Sequence, residues 1–565
     1  MKAGVVTAAA AAALVLAGAA VYRRHSLRKS RVALKGLAPV ANYRDAALVI
    51  VVDVGSSSIR ASCFALVDAT TGKGSRGAGD ASRLEWVMLS GSMHQQQMRG
   101  IIDANGEADI HRIQGAVEAA VSGVLVFLRA SCLAQNVRGV GFSSFAMNLL
   151  GVDGKGSPVT PVYTYAGRRP STAVFARQLR ESLEVDGRLD EFHNRTGSVI
   201  HPAYAPAEFL RLHHEQPDLV EKVVVWQSIS SHLLSKWTLA GEERAMPMSY
   251  SEASWTGLLD FRRGVWDEAL LDYVGMDKRK MPHLQDSATP FSGLRPAYAN
   301  MWPELSDVPF FLGIGDGAAA NVGSKCVDDT RIAVTIGTSA AIRVVINVDA
   351  MRDAKVPKGL WCYRIGHEHV MLGGALNDGG SVFQYFRESL NFSGTDIENH
   401  LLEARPAQHG LTLLPFLSGE RAPGWREKAT CTITGINKWT SAIDFLQAGM
   451  EGVALRIAQV YSLLAHYAAS DAMIIASGTA LTSSCAWRQM LADAIGREMA
   501  LESDSREATS RGVAVFLGTY LGYHSLKDSQ NLLGDISFSH PRVEAHAAYL
   551  AARQEQEQLY RKLYA

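Results

Sequence analysis

The chain has 565 residues, more than one hydrophobic core usually organises, so we expect two large domains with the active site in the cleft between them. Its 56 basic and 56 acidic side chains balance, which gives no electrostatic reason to expect nucleic acid as a partner. The six cysteines are far apart and form no Cys-x-x-Cys pair, so neither a metal site nor a redox couple is indicated.

The N-terminus contains an uncharged, alanine-rich stretch, residues 3–22, which is about long enough to cross a bilayer as a helix. A basic run, RRHSLRKSR, follows it, and no acidic residue precedes Asp45. A membrane anchor, a cleaved secretory signal and an organellar targeting segment are the three interpretations. Because basic residues beside an anchor stay in the cytosol, we favour a membrane-anchored protein whose body faces the cytosol, with a mitochondrial or plastid location as the alternative. Residues 1–47 would then be an apolar helix and a basic connector.

Two strands joined by a tight turn are predicted next, in ALVIVVDVGSSSIRASCFAL, with the tip of the hairpin at Gly55. Glycine lets the backbone approach a ligand closely. Hydroxyl donors stand beside the main-chain N–H groups at Ser56, Ser57 and Ser58. Asp53, just before the turn, is placed to hold a magnesium ion. A plain hairpin with a serine-rich turn is the alternative.

Helical periodicity follows in residues 114–135 and 441–470, where apolar residues recur at three- and four-residue intervals. Strand patterns such as VRGVGFSS and AMIIASG alternate with such segments. This alternation predicts an α/β architecture in each half of the chain.

The first hairpin pattern recurs in RIAVTIGTSAAIRVVINV, with its tip at Gly337. Gly337 and Thr338 offer the same combination of backbone and hydroxyl donors. Similarity at this separation predicts two related halves rather than a solenoid. Two glycine-tipped hairpins that face each other are able to hold a triphosphate from both sides.

Between the hairpins, FFLGIGDGAAANVGS predicts a strand that ends at Gly315, Asp316 and Gly317, followed by a helix. A carboxylate flanked by glycines is open to close approach by a substrate. Asp316 is therefore the best candidate for a general base, and a helix-capping role is the alternative. A third strand-glycine-helix junction, at Gly478 and Thr479, is a weaker candidate for lining an adenosine pocket.

Seven motifs in fixed order, DVGSSSIR, SEASWTGLLD, GIGDGAAANVG, TIGTSAAIRV, GGALNDGG, LPFLSGERAPGW and SGTALTSSCAWRQMLAD, resemble the FGGY carbohydrate kinases over nearly all of residues 48–525. The resemblance implies two ribonuclease-H-like domains of the actin/hexokinase type that close on ATP, Mg²⁺ and a sugar. We expect an N-terminal, sugar-binding domain at 48–312 and a C-terminal, nucleotide-binding domain at 313–565.

By resemblance, the chain is expected to phosphorylate a hydroxyl group of a sugar, sugar acid or polyol with Asp316 as general base. Asp53 and Asp316 match the metal element, and the serines that follow Asp53 match the phosphate element. Gly337 and Thr338 match the second phosphate loop, and Gly478 matches the adenosine turn, where Thr479 replaces a usual second glycine.

The acceptor is expected to be D-gluconate, since the motifs look most like the gluconate kinase branch. Kinases of ribulose, xylulose and sedoheptulose are the rivals, and a catalytically silent, membrane-tethered nucleotide-binding homologue is the alternative from another class. A homodimer is also left open. The candidate substrate contacts are Ser144, Arg169, His201, Gly317, Asn377 and Arg421.

The first-domain sugar motifs depart from the family pattern at three positions. Tyr165 replaces a tryptophan, Gly167 replaces an acid, and Glu208 stands where a lysine is usual. Because such changes alter local charge and leave polar groups without their usual partners, we expect a remodelled sugar pocket.

Overall fold

The computed structural model describes residues 40–564 except 78–79, 99, 168, 244, 503–506 and 531–535. The expected apolar helix at residues 3–22 lies outside this range. Within the described part of the chain, one helix, Ile110–Ala130, is long and apolar enough to cross a membrane. One face of this helix, which includes Ile113, Val117 and Val124, is buried in the same core cluster as the strands of the first sheet, so it is a core helix of the first domain.

The first hairpin consists of Leu48–Val54 and Ser58–Asp68, as predicted. Val137–Ser144 lies parallel to its first strand. Alternate residues of Leu48–Val54 pack on opposite sides: Leu48, Ile50, Val52 and Val54 pack with the core helix, and Val49 and Val51 pack with Ala508–Tyr520, which we call the crossing helix. Both faces of the central strand are therefore covered, so its sequence is almost continuously apolar.

The strand predicted before Asp316 is the short segment Ile314–Gly315, which pairs with the end of Val137–Ser144. First-sheet pairing therefore continues beyond residue 312. The Asp316 helix, Asp316–Gly323, starts directly at this sheet edge and packs along the crossing helix. A Cβ atom on Gly323 would lie 1.8 Å from the Ala508 carbonyl oxygen, so the two helix backbones are in direct contact.

The second hairpin consists of Arg331–Ile336 and Ala340–Asn347 and repeats the arrangement of the first. Met473–Ser477 lies parallel to its first strand, as Val137–Ser144 does in the first sheet. The full order of this seven-stranded sheet is Trp361–Arg364, His369–Leu376, Ala340–Asn347, Arg331–Ile336, Met473–Ser477, Met499–Glu502 and Ile536–Ser539. The predicted internal repeat is thus confirmed at the level of strand pairing.

Helices cover the second sheet, and they include Ala442–Leu464, Cys485–Ile495 and Val543–Tyr564. We call Val543–Tyr564 the C-terminal helix. The helix predicted at 441–470 ends at Leu464. The helix predicted at 114–135 starts earlier, because the Asp109 side chain accepts a hydrogen bond from the His111 N–H and caps its first turn.

A lobe of the first domain, which contains Pro170–Val185, Leu189–Thr196 and Ala205–Glu215, packs directly on the second domain. The backbone N–H of Cys362 donates to the Gly197 carbonyl at 2.8 Å. These contacts join the lobe of the first domain to the second sheet, to which Cys362 belongs.

Candidate active site

Asp316 is the first residue of its helix, partly exposed to the cleft. The N-cap position belongs to Gly315, so Asp316 is free of the capping role that was its alternative. Burial, and after it the nearby Asp53 carboxylate, raise the pKa of Asp316 to about 6. The Gly317 N–H and the guanidinium groups of Arg343 and Arg421 act in the opposite direction. A carboxyl group with this pKa is mostly ionised at neutral pH and accepts a proton readily.

The first hairpin turn places its serines unequally. Ser56 and Ser57 stand at the tip, where Ser57 is exposed, whereas Ser58 begins the next strand and is buried. The Gly55 N–H donates to the Ser58 carbonyl at 3.1 Å, and a Cβ atom on Gly55 would lie 2.9 Å from that oxygen. The turn is therefore tight enough to require glycine, and two of the three serines remain at the ligand-facing tip.

Asp53 lies near the end of Leu48–Val54, and Val137–Ser144 separates this strand from Ile314–Gly315, which precedes Asp316. Its carboxylate accepts a hydrogen bond from the Ser143 hydroxyl at 2.7 Å, and burial raises its pKa. Two carboxylates close enough for one to raise the pKa of the other are a natural site for a divalent cation. No group of three or more His, Cys, Asp or Glu side chains able to hold a metal occurs in the part of the chain that the structure describes. A cation here would therefore need phosphate oxygens as additional ligands, as Mg²⁺ bound to ATP does.

The second hairpin turn and the third glycine element meet. Gly478 has φ +89°, and a Cβ atom there would lie 2.4 Å from the Ile336 carbonyl oxygen. The Gly337 and Thr338 carbonyls accept hydrogen bonds from Gly380 N–H and Gly379 N–H at 2.7 and 2.9 Å. These two sequence predictions therefore fall on one continuous surface.

A cavity of about 590 Å³ opens beside that surface. Gly337, Thr338 and Thr479 line it on the side of the hairpin, and Phe383 and Trp487 provide apolar walls. Its volume and its mixture of backbone and aromatic groups suit a nucleoside. The nucleotide candidates from the sequence are thus distributed between the two hairpin turns and this cavity.

Two guanidinium groups, those of Arg343 and Arg421, lie near Asp316, and we call this part of the cleft the acceptor side. Arg421 lies over the Trp425 ring at 5.7 Å and, like Arg343, is partly buried. Both groups act electrostatically on Asp316. Among the described residues, neither guanidinium has a hydrogen-bond or ion-pair partner. Sequence reasoning missed Arg343, which lies in the second strand of the second hairpin, six residues after Gly337.

Two aromatic side chains, Trp255 and Tyr363, pack beneath Asp316, and we call this pair the aromatic floor. Sequence reasoning missed both of them. Trp255 packs so closely under the start of the Asp316 helix that Cβ atoms on Gly315 and Gly317 would lie 2.7 and 3.0 Å from its ring. The Tyr363 ring lies 5.0 Å from Trp255, and the Tyr363 hydroxyl is hydrogen-bonded to that of Tyr204. Gly317, a predicted substrate residue, therefore lies directly between the Trp255 ring and Asp316, where there is little space for a side chain.

Three predicted substrate residues use their polar groups within the protein. The Ser144 hydroxyl donates to Glu252 at 3.2 Å. The Arg169 guanidinium donates to Glu107 at 2.5 Å, and the Asn377 amide donates to the Ser418 carbonyl at 2.8 Å.

His201, the fourth of these predicted contacts, is close to the acceptor side. It packs edge-on against Trp425 with ring centroids 5.1 Å apart. Burial and the nearby Arg421 lower its pKa to about 3, so it is neutral at physiological pH. It can contribute hydrogen bonds here, but not a positive charge.

Glu208, which replaces a usual lysine, is buried and accepts hydrogen bonds from Arg211 and from the Thr172 hydroxyl. Its charge is therefore compensated inside the first domain.

Two related α/β domains that meet at a carboxylate between paired glycine turns define a kinase of the actin/hexokinase type. Residues 48–323 match the FGGY family of carbohydrate kinases, N-terminal domain, and residues 332–520 match the C-terminal domain of the same family. The chain belongs to the FGGY carbohydrate kinases. The expected fold class is confirmed, and the protein is a phosphotransferase that acts on sugar hydroxyl groups.

Known relatives agree on the family and differ in acceptor. A gluconokinase of Bacillus subtilis is 27% identical over 396 residues, which cover 67% of this chain and 74% of the relative. Among solved structures, a gluconate kinase and a xylulose kinase, both from Lactobacillus acidophilus, each superpose with a TM-score of 0.77 at 20% identity. Each covers 92% of this chain, with 99% and 98% of the respective neighbour aligned.

Kinases of this family use ATP with Mg²⁺. The residues present fit this pair: Asp53 and Asp316 supply carboxylates for the cation, and the two hairpin turns supply backbone N–H groups for phosphates. Bound Mg²⁺ would neutralise phosphate charge during transfer.

Proposed function

We propose that this kinase phosphorylates a sugar acid, with D-gluconate as the best candidate, and that Asp316 is its general base. The observation that carries the proposal is the pair of guanidinium groups, Arg343 and Arg421, beside Asp316 without partners among the described residues. A substrate carboxylate would pair with them through charge-assisted hydrogen bonds. A neutral sugar would leave both guanidinium groups without a hydrogen-bonded anionic partner in a partly buried site. Two relatives, from Bacillus subtilis and Bacillus licheniformis, bear the name gluconokinase.

In the proposed reaction, a substrate hydroxyl oxygen forms a bond to the γ-phosphorus of ATP while the bond from that phosphorus to the β-γ bridging oxygen breaks. The hydroxyl proton moves to the Asp316 carboxylate, and ADP leaves. Asp316 suits this role because its raised pKa makes it a better proton acceptor than an ordinary carboxylate, while most of it stays ionised at pH 7. The aromatic floor formed by Trp255 and Tyr363 would exclude water from the acceptor.

The test compares ADP release by the full-length chain with D-gluconate, ribulose, xylulose, sedoheptulose, glycerol and erythritol. We expect the highest kcat/KM with gluconate. We also expect Arg343→Met to raise the gluconate KM by about tenfold to a hundredfold, since a charged hydrogen bond contributes roughly 1.5–3 kcal/mol. The same variant should change the KM of any neutral acceptor far less.

A higher kcat/KM with a ketose than with gluconate would replace this proposal with the ketose kinase alternative. No turnover with any acceptor, combined with a thermal shift on nucleotide binding, would instead support the catalytically silent homologue.

We also propose that residues 3–22 anchor the protein in a membrane, with the kinase body in the cytosol. The support is the uncharged stretch followed by basic residues. A reporter fused to residues 1–45 should resist carbonate extraction if the stretch is an anchor. A shortened, extractable reporter inside mitochondria or plastids would show that the segment is a cleaved targeting sequence.

A further inference from the structure

The loop of residues 418–426 contains Arg421 and Trp425. A buried carboxylate within this loop, that of Glu420, links it to two helices. The Glu420 side chain has no exposed surface and accepts a hydrogen bond from the Tyr560 hydroxyl at 2.7 Å. Its other oxygen accepts from the Arg456 guanidinium and, at 3.3 Å, from the Gly424 N–H. Glu420 therefore connects the backbone of this loop to the helix Ala442–Leu464, which contains Arg456, and to the C-terminal helix, which contains Tyr560.

The loop backbone also rests directly on Tyr560. A Cβ atom on Gly424 would lie 1.9 Å from the Tyr560 hydroxyl oxygen, so there is no space between them. Trp425 follows at once, and its backbone N–H donates to the Arg421 carbonyl at 2.6 Å. The Trp425 indole N–H donates to the Gly359 carbonyl at 2.7 Å. The position of the Arg421 guanidinium, which lies over this indole, thus depends on a chain of contacts that begins at Tyr560.

We propose that Tyr560 is a positioning residue for the acceptor site: it holds Glu420 and Gly424 and thereby sets the place of Arg421 beside Asp316. This inference rests on the proposed role of Arg421 in binding the acceptor. It concerns a part of the chain beyond the family match, which ends at residue 520, whereas the C-terminal helix starts at Val543.

The C-terminal helix has other anchors, so a change at Tyr560 is separable from loss of the helix. The Gln556 amide donates to the Leu413 carbonyl at 2.8 Å, and the Tyr549 hydroxyl donates to Glu451 at 3.2 Å. Both contacts stay intact when only the Tyr560 hydroxyl is removed.

The experiment is Tyr560→Phe in the full-length chain, with Tyr564→Phe as the matched control. Tyr564 lies one turn further along the same helix and contacts Thr430 rather than the loop. Because Tyr560→Phe leaves a buried carboxylate oxygen without a donor, we expect the acceptor KM to rise about tenfold while kcat changes less than about twofold. The KM for ATP should stay unchanged, and the control should match the wild type in all three constants.

A double-mutant cycle with Arg421→Ala tests whether the effect passes through Arg421. In the Arg421→Ala background, Tyr560→Phe should have no further effect on the acceptor KM. Additive effects, an unchanged acceptor KM in Tyr560→Phe, or equal rises in the KM of acceptor and ATP would each overturn the proposal. All assays use whichever acceptor the wild type phosphorylates best. Preference for a neutral acceptor would therefore refute the sugar-acid proposal without deciding the role of Tyr560.

Discussion

The nucleotide side and the acceptor side of the cleft are built in different ways. On the nucleotide side, backbone geometry dominates: Gly55 and Gly478 sit where a Cβ atom would collide with a main-chain oxygen. On the acceptor side, side chains dominate, with Arg343, Arg421 and Trp255 arranged around Asp316. A backbone-built site is preserved as long as a few glycines are kept, whereas a side-chain-built site changes with every substitution. A site of the first kind can therefore be combined with different acceptor sites on the same fold.

The largest effect should come from Asp316, where the two sides meet. Asp316→Asn removes the proton acceptor, so kcat should fall by about 10²–10⁴-fold, the usual contribution of a general base. Nucleotide affinity, measured by the thermal shift with ADP, should stay close to that of the wild type. Asp307→Asn, at an exposed site nine residues earlier in the chain, is the control and should retain full activity. Substantial turnover by Asp316→Asn would remove Asp316 from the role of base.

Two glycines of the nucleotide side should separate folding from binding. Gly478→Ala should destabilise the protein by about 1–3 kcal/mol, because alanine is strained at φ +89° and its methyl group meets the Ile336 carbonyl. Gly337→Ala should leave the unfolding temperature unchanged, since no atom of the described residues other than its own and those of its two chain neighbours lies within 4 Å of its Cβ position. Its methyl group should nevertheless raise the KM for ATP by about tenfold by occupying phosphate space.

Thermal unfolding and ATP kinetics of both variants check this pair. If Gly478→Ala left the unfolding temperature unchanged, the claim that the nucleotide side requires glycine at this backbone position would be wrong.

The same contrast explains what the sequence could predict. Both hairpins and the placement of Asp316 follow from local patterns, since alternating apolar residues and glycine turns act within a few positions. The partner of Arg169 does not follow, because Glu107 is 62 positions away and meets it only in the folded domain. Arg343 and Trp255 were missed for the same reason: Arg343 comes from the second sheet and Trp255 from a distant segment of the first domain, and both approach Asp316 only in the folded protein.

The electrostatic balance at Asp316 should appear in the pH profile. Only the carboxylate accepts a proton, so kcat/KM should fall about tenfold per pH unit below the Asp316 pKa of about 6. Arg343 lowers that pKa, and Arg343→Met should therefore move the midpoint to higher pH, by up to about one unit for a charge at this range. Profiles of kcat/KM between pH 4.5 and 8 measure both midpoints. A midpoint that moves to lower pH in the variant would contradict the placement of Arg343 beside the base.

The smallest effect on acceptor kinetics should come from substituting Arg169. Its guanidinium is already ion-paired with Glu107, whereas that of Arg421 is available to the substrate. Arg169 is ion-paired with Glu107 at 2.5 Å and partly exposed, and such pairs contribute only about 0–1 kcal/mol. Arg169→Ala should therefore change kcat/KM for the acceptor by less than about twofold, whereas Arg421→Ala should lower it by tenfold or more. Glu107→Gln, which releases Arg169 without removing it, is the control. Equal losses in Arg169→Ala and Arg421→Ala would mean that Arg169 leaves Glu107 to bind the acceptor, and the acceptor side would then extend further into the first domain.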